Sequence, residues 1–175
     1  LMHLKGKPLT IRTLDVGNDK KVPSIEKYLT KSPNPALGLR AIRLTLAFPK
    51  IFKRQITAIL RASSYGNIRI MLPMVSNVSE LIETKKIITE VKKDLLKKNK
   101  RLKIITPKIG VLIETPAAAL ISEELAKNCD FFAIGTNDLT MYTLAIDRGD
   151  EEVAKIYDPG HPVSYTHLRA HETDP

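Results

Sequence analysis

The chain has 175 residues, 43% of them hydrophobic, and a formal net charge of +9. That length can bury one domain core. No apolar run approaches the roughly eighteen residues of a membrane span, so no membrane role is expected. The single cysteine, Cys129, excludes an internal disulfide and a multi-cysteine zinc site and fits a reducing cytoplasm.

The first residues, "LMHLKGKP", lack the apolar centre of a secretory signal. Residues 9–16, "LTIRTLDV", mix β-branched and apolar side chains and run into Gly17, which predicts a strand ending in a loop. Apolar spacing is helical from Ala36 to about Ala47, and a second helical run follows Pro49 to about Ser63. Tyr65-Gly66-Asn67 stops it. Residues 68–74, "IRIMLPM", predict the next strand. A long amphipathic helix follows, with Val78, Leu81, Ile82, Ile88, Val91 and Leu95 mostly three or four apart.

Residues 85–103 carry nine Lys or Arg and two acids, +7 of the net charge. Such a balance raises a polyanion partner. The charges lie on one helix and its exit, without aromatic side chains to stack bases, so a solvated face is the reading adopted and no nucleic acid is expected.

Residues 109–114, "IGVLIE", form an apolar strand that ends on a carboxylate, Glu114. Thr115 is placed to cap a helix that begins at Pro116 and buries Ile121 and Leu125. Cys129, beside Phe131 and Phe132, is expected to be a small buried hydrophobe. Residues 130–136, "DFFAIGT", predict the fourth strand, with Asn137 and Asp138 at its end.

Strand and helix alternate four times, and the strands read too apolar to face water on either side. The expected class is α/β, a parallel sheet covered by helices. An open doubly wound sheet and part of a (β/α)8 barrel both remain; no G-x-G-x-x-G loop supports the dinucleotide-binding version of the former. In either, the C-terminal strand ends form the reaction face. Arg12, Asp15, Glu114, Asn137, Asp138, Asp147 and Arg148 gather there. Glu114 and Asp138 together suit a hard cation such as Mg²⁺, although each has a bland alternative as a surface acid or a helix cap. Arg40 and Arg43, three apart, are expected to share a helix face. Arginine's planar fork suits phosphate and carboxylate oxygens, so the set describes a site for a small anionic phosphate compound.

The stretches "TIRTLDVGNDK", "NPALGLRAIR", "AILRASSYGNIRIMLPMV", "IGVLIETPAAA" and "DFFAIGTNDLTMYTLAIDRG" closely resemble the C-terminal domain of the Enzyme I family, the phosphoenolpyruvate–protein phosphotransferases of bacterial sugar transport. The resemblance implies a phosphoenolpyruvate (PEP)-binding (β/α)8 barrel, here a partial one of about four strands, in a cytoplasmic transferase. It implies PEP contacts for Arg12, Arg40, Asn137, Asp138 and Arg148, and Mg²⁺ ligands in Glu114 and Asp138. It also implies transfer to a histidine on a separate N-terminal domain and on to the phosphocarrier HPr, and a homodimer. That histidine and the cysteine that protonates enolpyruvate are not expected within this chain, so no catalytic residue is assigned and Cys129 inherits no role. Pyruvate phosphate dikinase and PEP synthase share the "GTNDLT" strand end and are the runner-up; "ETPAAA" and "DRG" favour Enzyme I. The likeness runs from about Lys5 to Pro162, and residues 1–162 are expected to be the barrel fragment. Residues 163–175, "VSYTHLRAHETDP", carry no apolar stripe, and Val163 through Thr173 match the translation of a transposon-type sequencing adapter, so a non-native tail is expected over 163–175.

Overall fold

The structure, a computed structural model, describes residues 4–17, 32–147, 149–158 and 160–163. Four strands, β1 (Leu9–Arg12), β2 (Ile68–Leu72), β3 (Lys108–Ile113) and β4 (Phe131–Ile134), form one parallel sheet in the order β1-β2-β3-β4. Helices α1 (Ala41–Ala47) and α2 (Pro49–Ala62) join β1 to β2, α3 (Val78–Lys98) joins β2 to β3, and α4 (Pro116–Leu120) with α5 (Ser122–Ala126) joins β3 to β4. After β4 come α6 (Thr136–Leu144) and the short α7 (Glu151–Ala154).

The strand order decides between the two architectures. A doubly wound sheet reverses its order at a switch point. Here each strand pairs with its predecessor and the order never reverses. Right-handed crossovers in one direction place successive helices on one face of the sheet, as in a barrel wall. The chain is therefore α/β with the character of a partial (β/α)8 barrel.

The core lies between the sheet and that helical layer. Ile70 and Leu72 of β2 and Val111 of β3 meet Phe52, Ile56 and Leu60 of α2 and Leu81, Ile88 and Val91 of α3. The stripe on α3 differs from expectation at three positions: Ile82 is exposed, while Thr84 and Ile87 are buried. Asn77 opens α3 as a capping box, its side chain accepting from Ser79 N while Glu80 reaches back to Asn77 N.

On the other sheet face a tight layer forms. Gly110 lies beside Phe131 in the ladder, and a Cβ at Gly110 would collide with the Phe131 ring. The Arg69 guanidinium lies 5.6 Å from the same ring's centroid.

Three expectations are corrected. The outer strands do face water: β4 leaves Phe132 38% and Ile134 55% exposed, and three of the four residues of β1 are exposed. Each outer strand has a partner on one side only, and apolar composition cannot report that. Cys129 is half-buried rather than buried, although burial still raises its thiol pKa. The helix after Pro116 breaks at Ile121 into α4 and α5, with Leu125 buried and Ile121 only partly so.

Candidate anion and metal site at the strand ends

The C-terminal ends of the strands open into one cavity of about 730 Å³, lined by Arg12, Asp15, Arg40, Glu114, Asn137, Asp138 and Asp147 among others. Arg12 is the last residue of β1. Glu114 is the first residue past β3, and it is buried, with 2% of its surface exposed. Asn137 and Asp138 stand in the first turn of α6. The N-cap of α6 is Gly135, so Asp138 is not the cap; it adds an acid beside the positive end of the helix.

The local chain explains how Glu114 is held. Thr115 caps α4 by accepting from Ala118 N at 3.1 Å and donates its own hydroxyl to Val75 O at 2.8 Å. This ties the end of β3 to the loop after β2. There Met74, fully buried, takes a left-handed backbone with φ of 57° and donates its N–H to Glu114 Oε1 at 2.6 Å. A non-glycine residue in that region costs roughly 1–2 kcal/mol, which the surrounding packing sustains. Gly135 closes the other side: a Cβ there would lie 2.7 Å from Glu114 Cβ and 2.9 Å from Oε2.

Arg40 is the second buried charge. Its extended backbone at the N-cap of α1 turns at Ala41, which is left-handed (φ 51°) and donates its N–H to Val16 O. The Arg40 guanidinium donates to Asp15 Oδ1 at 2.9 Å, to the Tyr142 hydroxyl at 3.2 Å and to Asp138 Oδ2 at 3.5 Å. Tyr142 in turn donates to Ala36 O at 2.6 Å. Arg12 pairs with the second oxygen of Asp15 at 3.3 Å.

Arg40 and Arg43 do not share a face. Arg40 precedes the helix, and Arg43 donates to Leu37 O instead. Arg148 lies outside the described residues. Asp15 and Tyr142 are the members that sequence reasoning missed in this role; Asp15 stood out as a polar residue past a strand, but no local pattern tied it to Arg40.

Electrostatics make Glu114 the unusual group. Its pKa is raised from 4.5 to about 7, first by burial, then by the neighbouring charges of Asp138 and Asp15; the Met74 N–H and Arg12 oppose the rise. Burial and the two neighbouring acids outweigh the opposing charge of Arg12. A hard divalent cation suits such a crowded set of carboxylates. Among the described residues no group of three or more His, Cys, Asp and Glu side chains could hold an ion, and Glu114 and Asp138 are carboxylates lining the same cavity. That is the donor set Mg²⁺ accepts when water and a phosphate complete its shell.

The family model described as "PEP-utilising enzyme, PEP-binding domain" matches residues 1–170. The chain is similar to proteins named phosphoenolpyruvate-protein phosphotransferase. One from Bacillus subtilis (strain 168) is 45% identical over 162 residues, covering 93% of this chain and 28% of that protein. One from Buchnera aphidicola subsp. Schizaphis graminum is 45% identical over 163 residues, covering 91% and 27%. One from Haemophilus influenzae is 45% identical over 159 residues, again covering 91% and 27%. The chain spans little more than a quarter of the length of these curated relatives.

Proposed function

The chain belongs to the PEP-utilising enzymes, through their PEP-binding domain, and we propose that it forms the PEP- and Mg²⁺-binding part of a phosphoenolpyruvate–protein phosphotransferase. One observation carries the reading. Two arginines, Arg12 and Arg40, and four carboxylates, Glu114 and Asp138 among them, line one cavity at the strand ends from distant parts of the chain. PEP has a phosphate and a carboxylate, which suit two guanidinium groups set side by side.

In this reading Glu114 and Asp138 hold the metal, and Arg12 and Arg40 receive the anionic oxygens of PEP. Asn137, exposed in the first turn of α6, offers its amide to the same ligand. Arg148 is proposed as a further contact. Bound Mg²⁺ would supply positive charge to the phosphoryl oxygens as the bond to enolpyruvate breaks. The arginines would stabilise the same developing charge without reorganising, because Arg40 is already fixed by Asp15, Asp138 and Tyr142. Glu114 must be ionised to bind a cation, and the cation would bring its pKa down again.

The phosphoryl group would pass to a histidine on a separate domain and then to HPr, in a cytoplasmic, dimeric protein serving sugar uptake. Among the described residues no helix is long and apolar enough to cross a membrane. This chain is proposed to bind PEP without turning it over. Native sequence is proposed to end at residue 162; re-sequencing the source DNA across Pro162 tests that boundary.

Calorimetric titration of the chain with PEP tests the main reading. Saturable binding that requires Mg²⁺ and is lost in Glu114→Gln is expected. Binding of PEP unaffected by Mg²⁺ and by Glu114→Gln would sink the assigned site.

A further inference from the structure

We propose that Asp15 is a positioning residue that sets the spacing between the two arginines receiving the ligand. The inference rests on the PEP reading only for the identity of that ligand. One Asp15 carboxylate bridges both guanidiniums, with Oδ1 at 2.9 Å from Arg40 Nη2 and Oδ2 at 3.3 Å from Arg12 Nη1.

The backbone around Asp15 is pinned on both sides. Leu14 N donates to the Gln55 side chain of α2 at 3.1 Å, and Val16 O accepts from Ala41 N at 3.1 Å. Asp15 is therefore a fixed post between β1 and the start of α1. Its two clients differ. Arg40 is almost fully buried and is also held by Tyr142 and Asp138. The Arg12 side chain is 45% exposed, and Asp15 is its ion-pair partner. A long exposed side chain loses rotamer freedom when a ligand immobilises it, which opposes binding. Asp15 removes part of that cost beforehand by fixing Arg12 in the ligand-free chain.

Charge alone predicts the opposite. A carboxylate at the wall of an anion site lowers the local positive potential and opposes binding. If Asp15 acted only through its charge, neutralising it would tighten anion binding. If it positions, neutralising it weakens binding and blurs the distinction between PEP, with two anionic groups, and inorganic phosphate, with one.

The full 175-residue chain is titrated with PEP plus Mg²⁺, and separately with inorganic phosphate plus Mg²⁺, as wild type, Asp15→Asn and Asp15→Glu. Roughly 10- to 100-fold weaker PEP binding is expected for Asp15→Asn, as for an ångström-scale misplacement of a binding group. Asp15→Glu keeps the charge and moves it by one methylene; roughly ten-fold weaker binding is expected. The preference for PEP over phosphate should fall in both. Unchanged or tighter PEP binding in either folded variant overturns the proposal, and if Asp15→Asn does not fold, Asp15→Glu decides. If the wild-type chain binds no PEP, the reading of function fails, and guanidinium nitrogen NMR of the ligand-free chain judges Asp15 separately. There, Arg12 Nη rotation should be slow in wild type and fast in the variants; equal rates would overturn it.

Discussion

Two regions of this molecule concentrate charge, and they use it in opposite ways. On the outer surface of α3, lysines fill the exposed face, and the ion pair between Lys53 and Glu90 joins two half-exposed side chains at 2.6 Å. At the strand ends, Arg40, Asp15 and Glu114 are all buried. Formal charge ranks the lysine face first, yet its ions remain in water, where they interact weakly and are screened. The few charges at the strand ends have lost their water and depend on each other. Burial, not charge count, separates the candidate site from the solvated surface.

The largest break in that contrast should come from Arg40. Arg40→Met leaves Asp15 and Asp138 near the cavity wall without their shared cation. Removing one partner of a buried pair typically costs about 3–5 kcal/mol. Urea denaturation should show a loss of that order together with lost PEP binding. A stability change below about 1 kcal/mol would place the guanidinium in an effectively aqueous setting.

Glu114 sharpens the contrast through pH. Its carboxyl holds a proton more tightly in the folded chain, with a pKa of about 7, than at the ordinary value of 4.5. The folded state is therefore favoured below 4.5 and loses that advantage as pH rises through about 7. Across this window the metal-free chain should lose on the order of 3 kcal/mol from this group. Glu114→Gln should flatten that slope, and saturating Mg²⁺ should oppose it. A metal-free stability profile that rises between pH 5 and pH 7 and is unaltered by Glu114→Gln would contradict the burial argument.

Gly135→Ala tests close packing rather than charge. The added methyl would stand 2.7 Å from Glu114 Cβ, so either α6 or Glu114 must move. A loss of about 1–3 kcal/mol is expected, with weaker Mg²⁺ binding by calorimetry. The smallest effect should come from the outer face. A double-mutant cycle on Lys53 and Glu90 should give a coupling of at most about 1 kcal/mol that fades with added salt. A coupling comparable to that of Arg40 would erase the distinction between the two regions.

Much of the fold is legible in the sequence. β2, β3 and the long α3 follow from their own periodicity and composition, and Thr115-Pro116 announces a helix start at the place where the structure has one. Glu114 stood out because a carboxylate at the tip of an apolar strand conflicts with its neighbours. These are local properties, set by side chains within one or two turns of each other. Which strands become sheet edges is not local, which is why the exposure of Phe132 and Ile134 went unforeseen.

The sequence by itself determined the alternation of strands and helices, the strand-end position of Glu114, and the cap that starts α4. Tertiary structure alone decided that the strands run in unreversed order, that Arg40 stands ahead of the helix while Arg43 turns to Leu37 O, and that Asp15 bridges two arginines. It also decided that Met74, forty residues before Glu114, supplies that carboxylate's hydrogen bond. Tyr142 meets Arg40 across 102 residues of chain, and Asp138 meets it across 98. Contacts at such separations are fixed by crossover handedness and by the space left after the core packs, and neither is written in any short window of residues.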